Sequence, residues 1–113
     1  MSSDPTAALR RQLKIKTGAA KRLSKEHRSY QTEEEDLKRA LDKFLADGAE
    51  EWDIKNARRM LEETQKMIAD SASRLGTTVQ ELRDTVLAAE KNPALKDAPE
   101  LAAAQEIIEE VSV

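Results

Sequence analysis

Ile54, Leu61, Ile68, Leu75, Leu82 and Ala89 recur at every seventh position, and this row limits what the chain can fold into more than any other feature. Seven residues is nearly two helical turns, so the row makes one apolar seam on a helix packed at a shallow angle against another. Its companions change partway, from Ala57 and Thr64 to Ala72, Val79 and Val86, while Met60 and Met67 widen the early face. The first half of the chain carries two such rows. Leu9, Lys16, Leu23, Tyr30, Leu37 and Phe44 form one; Leu13, Ala20, His27, Glu34 and Leu41 form the other, four residues away. Lys16, His27 and Glu34 interrupt the seam, though a long stem can lie on apolar surface with its charge in water.

Capping residues place the ends. Asp4-Pro5 opens the first helix with proline in its first turn, and Asp47-Gly48 closes it, glycine being suited to a left-handed cap. Glu90-Lys-Asn-Pro93 ends the second helix, because a residue before proline is pushed out of the α region. Asp97 is expected to cap the third, with Pro99 in its first turn, Glu100 at the capping-box position, and an apolar stripe of Leu101, Ala104, Ile108 and Val111. Thr78 and Glu81 also have capping-box spacing, which would start a new helix after Gly76. The row passes from Leu75 to Leu82 in phase, which favours one continuous helix with a kink as the open alternative. The expected helices span 6–46, 51–89 and 98–111.

With 113 residues, three Gly, three Pro and 3% aromatic residues, there are too few turns for a β fold and material for one modest core. The expected fold class is all-α: an elongated three-helix bundle, two long antiparallel helices plus a shorter C-terminal helix, in a single domain over 1–113. The short third helix can cover only part of the long pair, leaving inner surface open to a partner or a second copy.

Charge is unevenly spread. Residues 1–28 carry eight Lys or Arg against two acids, and residues 29–53 three against nine. Such asymmetry bears on partners rather than fold. The stretch from Leu13 to Glu26 gathers five cations around a sparse apolar row, with Gly18 inside the helical pattern. A helix-interior glycine costs about 1 kcal/mol against alanine, so Gly18 suggests a close approach by another helix or by a partner.

Chemistry for catalysis is sparse. There is no cysteine and one histidine, His27, on the seam, which reads as a satisfied or half-exposed bundle residue. The acidic run Glu33, Glu34, Glu35, Asp36 points in several directions and does not converge on one ion. EF-hand spacing and glycine-rich phosphate loops are absent. The expectation is a binding protein, not an enzyme, with no cofactor and no metal. Arg10, Arg11, Lys14, Lys16, Lys21, Arg22, Lys25 and Arg28 raise the question of nucleic acid. A sequence pI near 5.3 and the lack of any aromatic residue before Tyr30 argue against it, and the expectation is no nucleic acid. No membrane is expected either: no apolar run reaches the roughly 18 residues of a span. Met-Ser-Ser-Asp lacks a signal-peptide core, and a soluble, cytosolic protein is the expectation.

The turn Asp47-Gly-Ala-Glu-Glu-Trp-Asp-Ile-Lys55 allows two readings. Trp52 either folds back as a staple on Phe44 or Leu45, or stays partly exposed as an anchor for a partner.

Ile15-Lys-Thr-Gly18, then Lys21-Arg-Leu23 and Lys25-Glu26, Tyr30, Asp47-Gly48, Trp52-Asp-Ile-Lys55 and Met67-Ile68 resemble, in order and spacing, the tubulin-folding cofactor A family, also called tubulin-specific chaperone A. Any one of these motifs is weak and the set is specific. The resemblance implies a non-enzymatic three-helix bundle in the cytoplasm, associated with the cytoskeleton. It would capture quasi-folded β-tubulin after chaperonin release and hold it for hand-off to other tubulin-folding cofactors. A basic helix suits a large acidic client. The matched motifs and charge make Lys14, Lys21, Arg22, Lys25 and Glu26 the chief partner-binding candidates, followed by Trp52, Asp53 and Lys55. A monomer or weak homodimer is expected. The competing reading is a self-associating helical scaffold or adaptor, with His27 and Glu34 setting register; an RNA accessory factor is the third.

Overall fold

The computed structural model describes residues 4–111. The fold is all-α: α1 runs over Thr6–Ala46, α2 over Glu51–Glu90 and α3 over Pro99–Val111, with a 3-10 turn at Pro93–Leu95. Two compact units divide the chain. One takes the chain up to Ser24 together with the chain from Arg74 onward, and the other is Lys25–Ser73.

The helix ends follow from local chemistry. Asp4 Oδ1 accepts from the Thr6 amide at 3.0 Å and from the Thr6 hydroxyl. These two bonds, the hydroxyl's first, hold the Asp4 carboxyl below its usual pKa. The Pro5 carbonyl takes the first helical bond, from Leu9 N at 2.8 Å. At the other end Gly48 has φ of +66°, the left-handed region where a side chain would be strained. Ala49 N then donates to Phe44 O at 2.9 Å and Gly48 N to Leu45 O at 3.4 Å, the bond pair of a Schellman cap.

α2 is unbroken through Gly76 and Thr78, so the capping-box spacing there starts nothing. Its buried positions correct the expected companion row. Ala57, Thr64 and Ser71 are buried at seven-residue steps, whereas Ala72 is exposed; the next buried position is Val79. The step from Ser71 to Val79 is eight, with half-buried Leu75 midway. Two steps of four in succession let a helix of 3.6 residues per turn recover the drift that a strict seven-residue repeat accumulates.

In the first unit α1, α2 and α3 enclose a core whose fully buried members include Leu13, Ala20, Leu82, Leu95 and Ala104. Lys16 interrupts this seam as its stem allows, its ammonium reaching Glu81 Oε2 at 3.1 Å. The link to α3 differs from expectation. Asn92 Oδ1 accepts from Ala94 N at 3.0 Å and opens the 3-10 turn, while its amide donates to Thr6 Oγ1 at 3.0 Å. Leu95 and Ala98 are drawn into the core, and the Ala98 carbonyl accepts from Leu101 N and Ala102 N. Ala98 therefore takes the capping position expected of Asp97, since burial of its methyl, not a carboxylate cap, sets where α3 begins. Ile107 rather than Ile108 is the buried member of the α3 stripe; Ile108 and Val111 pack half-buried at its edge.

The second unit holds two helical segments around the Gly48 turn. Its buried residues are small, Ala57, Thr64 and Ser71, and its larger ones, Leu37, Leu41, Ile54, Leu61 and Ile68, are half-buried. His27 is satisfied here. Its Nδ1 lies 2.7 Å from Ser71 Oγ, and that hydroxyl donates its one proton to the Ile68 carbonyl at 3.0 Å. The His27–Ser71 hydrogen bond ties α1 to α2 within this unit.

Candidate interaction surfaces

Leu13 and Ala20 point into the core of the first unit with no exposure, and helical spacing turns the next residues on α1 toward its neighbour and toward solvent. Lys14, Thr17, Gly18 and Lys21 line one wall of a groove of about 500 Å³; Pro99, Glu100 and Ala103 of α3 line the other. Gly18 is exposed, and no atom lies within 4 Å of where its Cβ would sit. No second helix approaches it, so the close-packing reading of this glycine is corrected: its missing side chain leaves open space.

The groove is electrostatically mixed. Lys14 and Lys21 are exposed and, among the described residues, have no carboxylate within salt-bridge distance, while Arg10 Nε lies 3.7 Å from Glu100 Oε1. The other oxygen of Glu100 and the Thr17 hydroxyl are both buried without a hydrogen-bond partner. Threonine on a helix often bonds back to the carbonyl four residues earlier. Thr32 and Thr85 do so, but Thr17 does not. Buried polar atoms are nearly always satisfied, and one such atom on each wall sets this groove apart. Sequence reasoning missed Thr17 and the α3 wall. The spacing Leu13, Thr17, Ala20 was the available signal for Thr17; Glu100 was read only as a cap.

Of the remaining α1 candidates, Arg22 is exposed and lies outside the groove lining; Lys25 is exposed and Glu26 half-buried, both in the second unit. In that unit Trp52 is 72% exposed. It is not the staple on Phe44 or Leu45, which are themselves exposed. With Lys55, Asn56 and Arg59 it lines a shallow depression of about 150 Å³. Lys55 is held by Glu51 at 3.2 Å and Arg59 by the Asn56 side chain at 2.9 Å, while Asp53 is half-buried outside the depression. Phe44, Met60 and Met67 of the same unit are 37%, 42% and 39% exposed. The structure therefore brings together Lys14 with Lys21, and Trp52 with Lys55. It places Arg22 in neither groove.

Among the described residues no group of three or more His, Asp or Glu is placed to hold a metal, and no helix is long and apolar enough to cross a membrane.

Residues 8–108 match the family model for tubulin binding cofactor A. Tubulin-specific chaperone A of Homo sapiens is 35% identical over 103 residues, covering 91% of this chain and 93% of that protein. Tubulin-folding cofactor A of Arabidopsis thaliana is 33% identical over 101 residues, with 89% and 88% covered. The crystal structure of tubulin folding cofactor A from Arabidopsis thaliana aligns with a TM-score of 0.86 at 32% identity, covering 94% of this chain and 97% of that one. The human tubulin chaperone cofactor A structure gives 0.78 at 31% identity, with 93% and 99% covered. The likeness thus extends well past Ile68, where the sequence motifs stop, and includes α3.

Proposed function

The chain belongs to the tubulin binding cofactor A family, and from that premise we propose that it captures quasi-folded β-tubulin after chaperonin release. It holds this client in the cytoplasm, as part of supplying the cytoskeleton, and passes it to later tubulin-folding cofactors without covalent chemistry. The observation that carries the reading is the unspent apolar surface of the two-helix unit, where Phe44, Met60 and Met67 stay more than a third exposed. An incompletely folded client presents apolar surface, and methionine adapts to irregular partners. Exposed cations at Lys14, Lys21, Arg22 and Lys25 give an acidic client a complementary face, and Trp52 offers an aromatic anchor with Lys55 beside it; Glu26 and Asp53 complete the set. The chain works as a monomer or a weak homodimer.

Pull-down of newly folded β-tubulin from a cytosolic extract with the full chain tests the reading. We expect retention, and a fall of about tenfold when Lys21, Arg22 and Lys25 are all changed to Glu, with helicity by circular dichroism unchanged. No retention by the unaltered chain refutes the proposal.

A further inference from the structure

We propose that the groove between α1 and the first turn of α3 is a peptide-docking site, and that it takes an extended, acidic segment of the client with a small apolar side chain at its centre. This rests on the tubulin-holding reading and assigns one part of the client's contact to one place. The chemistry of the two facing walls selects the occupant. An ionised carboxylate oxygen such as Glu100 Oε2 can only accept a hydrogen bond, whereas the Thr17 hydroxyl can also donate. Both lack partners. A peptide unit supplies the matching pair, an N–H for Glu100 and a carbonyl for Thr17. Solvent does not reach either oxygen, so docking requires a rotamer change at Thr17 and Glu100 that brings both oxygens to the occupant.

The rest of the groove fixes size and charge. The open space over Gly18 and the short Ala103 side chain leave room for a small apolar group. Lys14 and Lys21 are seven residues apart on one helix, about 10 Å along its axis at 1.5 Å per residue. An extended chain advances about 3.3 Å per residue and shows alternate side chains to one face, so acids four residues apart, about 13 Å, face the same wall with a small apolar residue between them and come within reach of both flexible ammonium groups. Their charge is available, since neither lysine has a carboxylate within salt-bridge distance among the described residues.

Filling the groove tests the assignment without removing a charge. Gly18→Leu puts a side chain into the open space and improves helix propensity, so the variant is at least as stable as the parent. Gly76→Leu makes the same exchange at another helical glycine with open space, outside the groove. The expected result is about tenfold weaker β-tubulin capture by Gly18→Leu, with an unchanged or raised Tm, and parental capture by Gly76→Leu. Parental capture by Gly18→Leu overturns the groove assignment; if the Lys21, Arg22 and Lys25 reversal still lowers capture, the tubulin-holding reading survives. Should the unaltered chain capture no tubulin, the capped peptide acetyl-Glu-Val-Ala-Val-Glu-amide, with both acids and the central alanine on one face of the extended chain, is titrated into it instead. Shifts of the Gly18 and Ala103 amide resonances that vanish in Gly18→Leu then support the groove as a peptide site, and no shift overturns it.

Discussion

One serine decides how the second unit treats its only imidazole. Ser71 is 1% exposed and its hydroxyl shares hydrogen bonds with His27 Nδ1 and the Ile68 carbonyl, so two polar groups on facing helices satisfy each other. Removing the hydroxyl leaves the ring nitrogen without a partner, and Ser71→Ala costs about 1 kcal/mol. The neighbouring exchange Ala72→Ser, on an exposed position, changes stability by about 0.5 kcal/mol or less. Urea unfolding of the two variants checks this. Equal midpoints would mean that His27 does without its partner. The contrast also marks where sequence reading failed: Ala72 was placed in the seam row and Ser71 was left out of it. The eight-residue step that reverses them is invisible to a search for a seven-residue row.

At the level of elements, the two units use unlike means of packing. In the first, three helices close on leucines with no exposure; in the second, two helical segments meet through Ala57, Thr64 and Ser71 while their large apolar residues stay half-buried. Leu82→Ala should therefore cost about 2 to 5 kcal/mol, the range for emptying a buried leucine site. Leu61→Ala should cost about half as much, because part of that side chain already meets water. Guanidinium denaturation distinguishes the two, and a larger loss at Leu61 would contradict the burial pattern. The type of each element and most of the ends were legible in the sequence because heptads, proline and glycine act locally. The start of α3 was not, since it depends on Ala98 entering a core made by residues from the other end of the chain. Trp52 was ambiguous for the same reason: local spacing allows a staple, and only the packing of the turn decides against it. The cations of the candidate groove were legible as charge, but its opposite wall on α3 was not, because no local pattern brings Glu100 to Thr17.

For the molecule as a whole, the charge asymmetry read from the sequence remains a statement about partners, and the family match extends it to a class of client. What the fold adds is a difference between the units: one has a closed core with a groove on its surface, and the other has apolar surface left over. A sequence with 36% charged residues reveals that its core is thin. It does not reveal which half of the helices carries it.

The hydrogen bond from Asn92 to Thr6 joins residues 86 positions apart, and this gives the chain an order of assembly in time. Closing so long a loop costs more entropy than the tight reversal at Gly48 and brings no reward until the ends meet. The Gly48 turn is therefore expected to form early, and the contact between Thr6 and Asn92 late. Gly48→Ala should slow folding, whereas Asn92→Ala should leave the folding rate nearly unchanged and speed unfolding several-fold, by the partition expected of late contacts. Stopped-flow measurements that put the Asn92 effect in the folding limb would reverse the order.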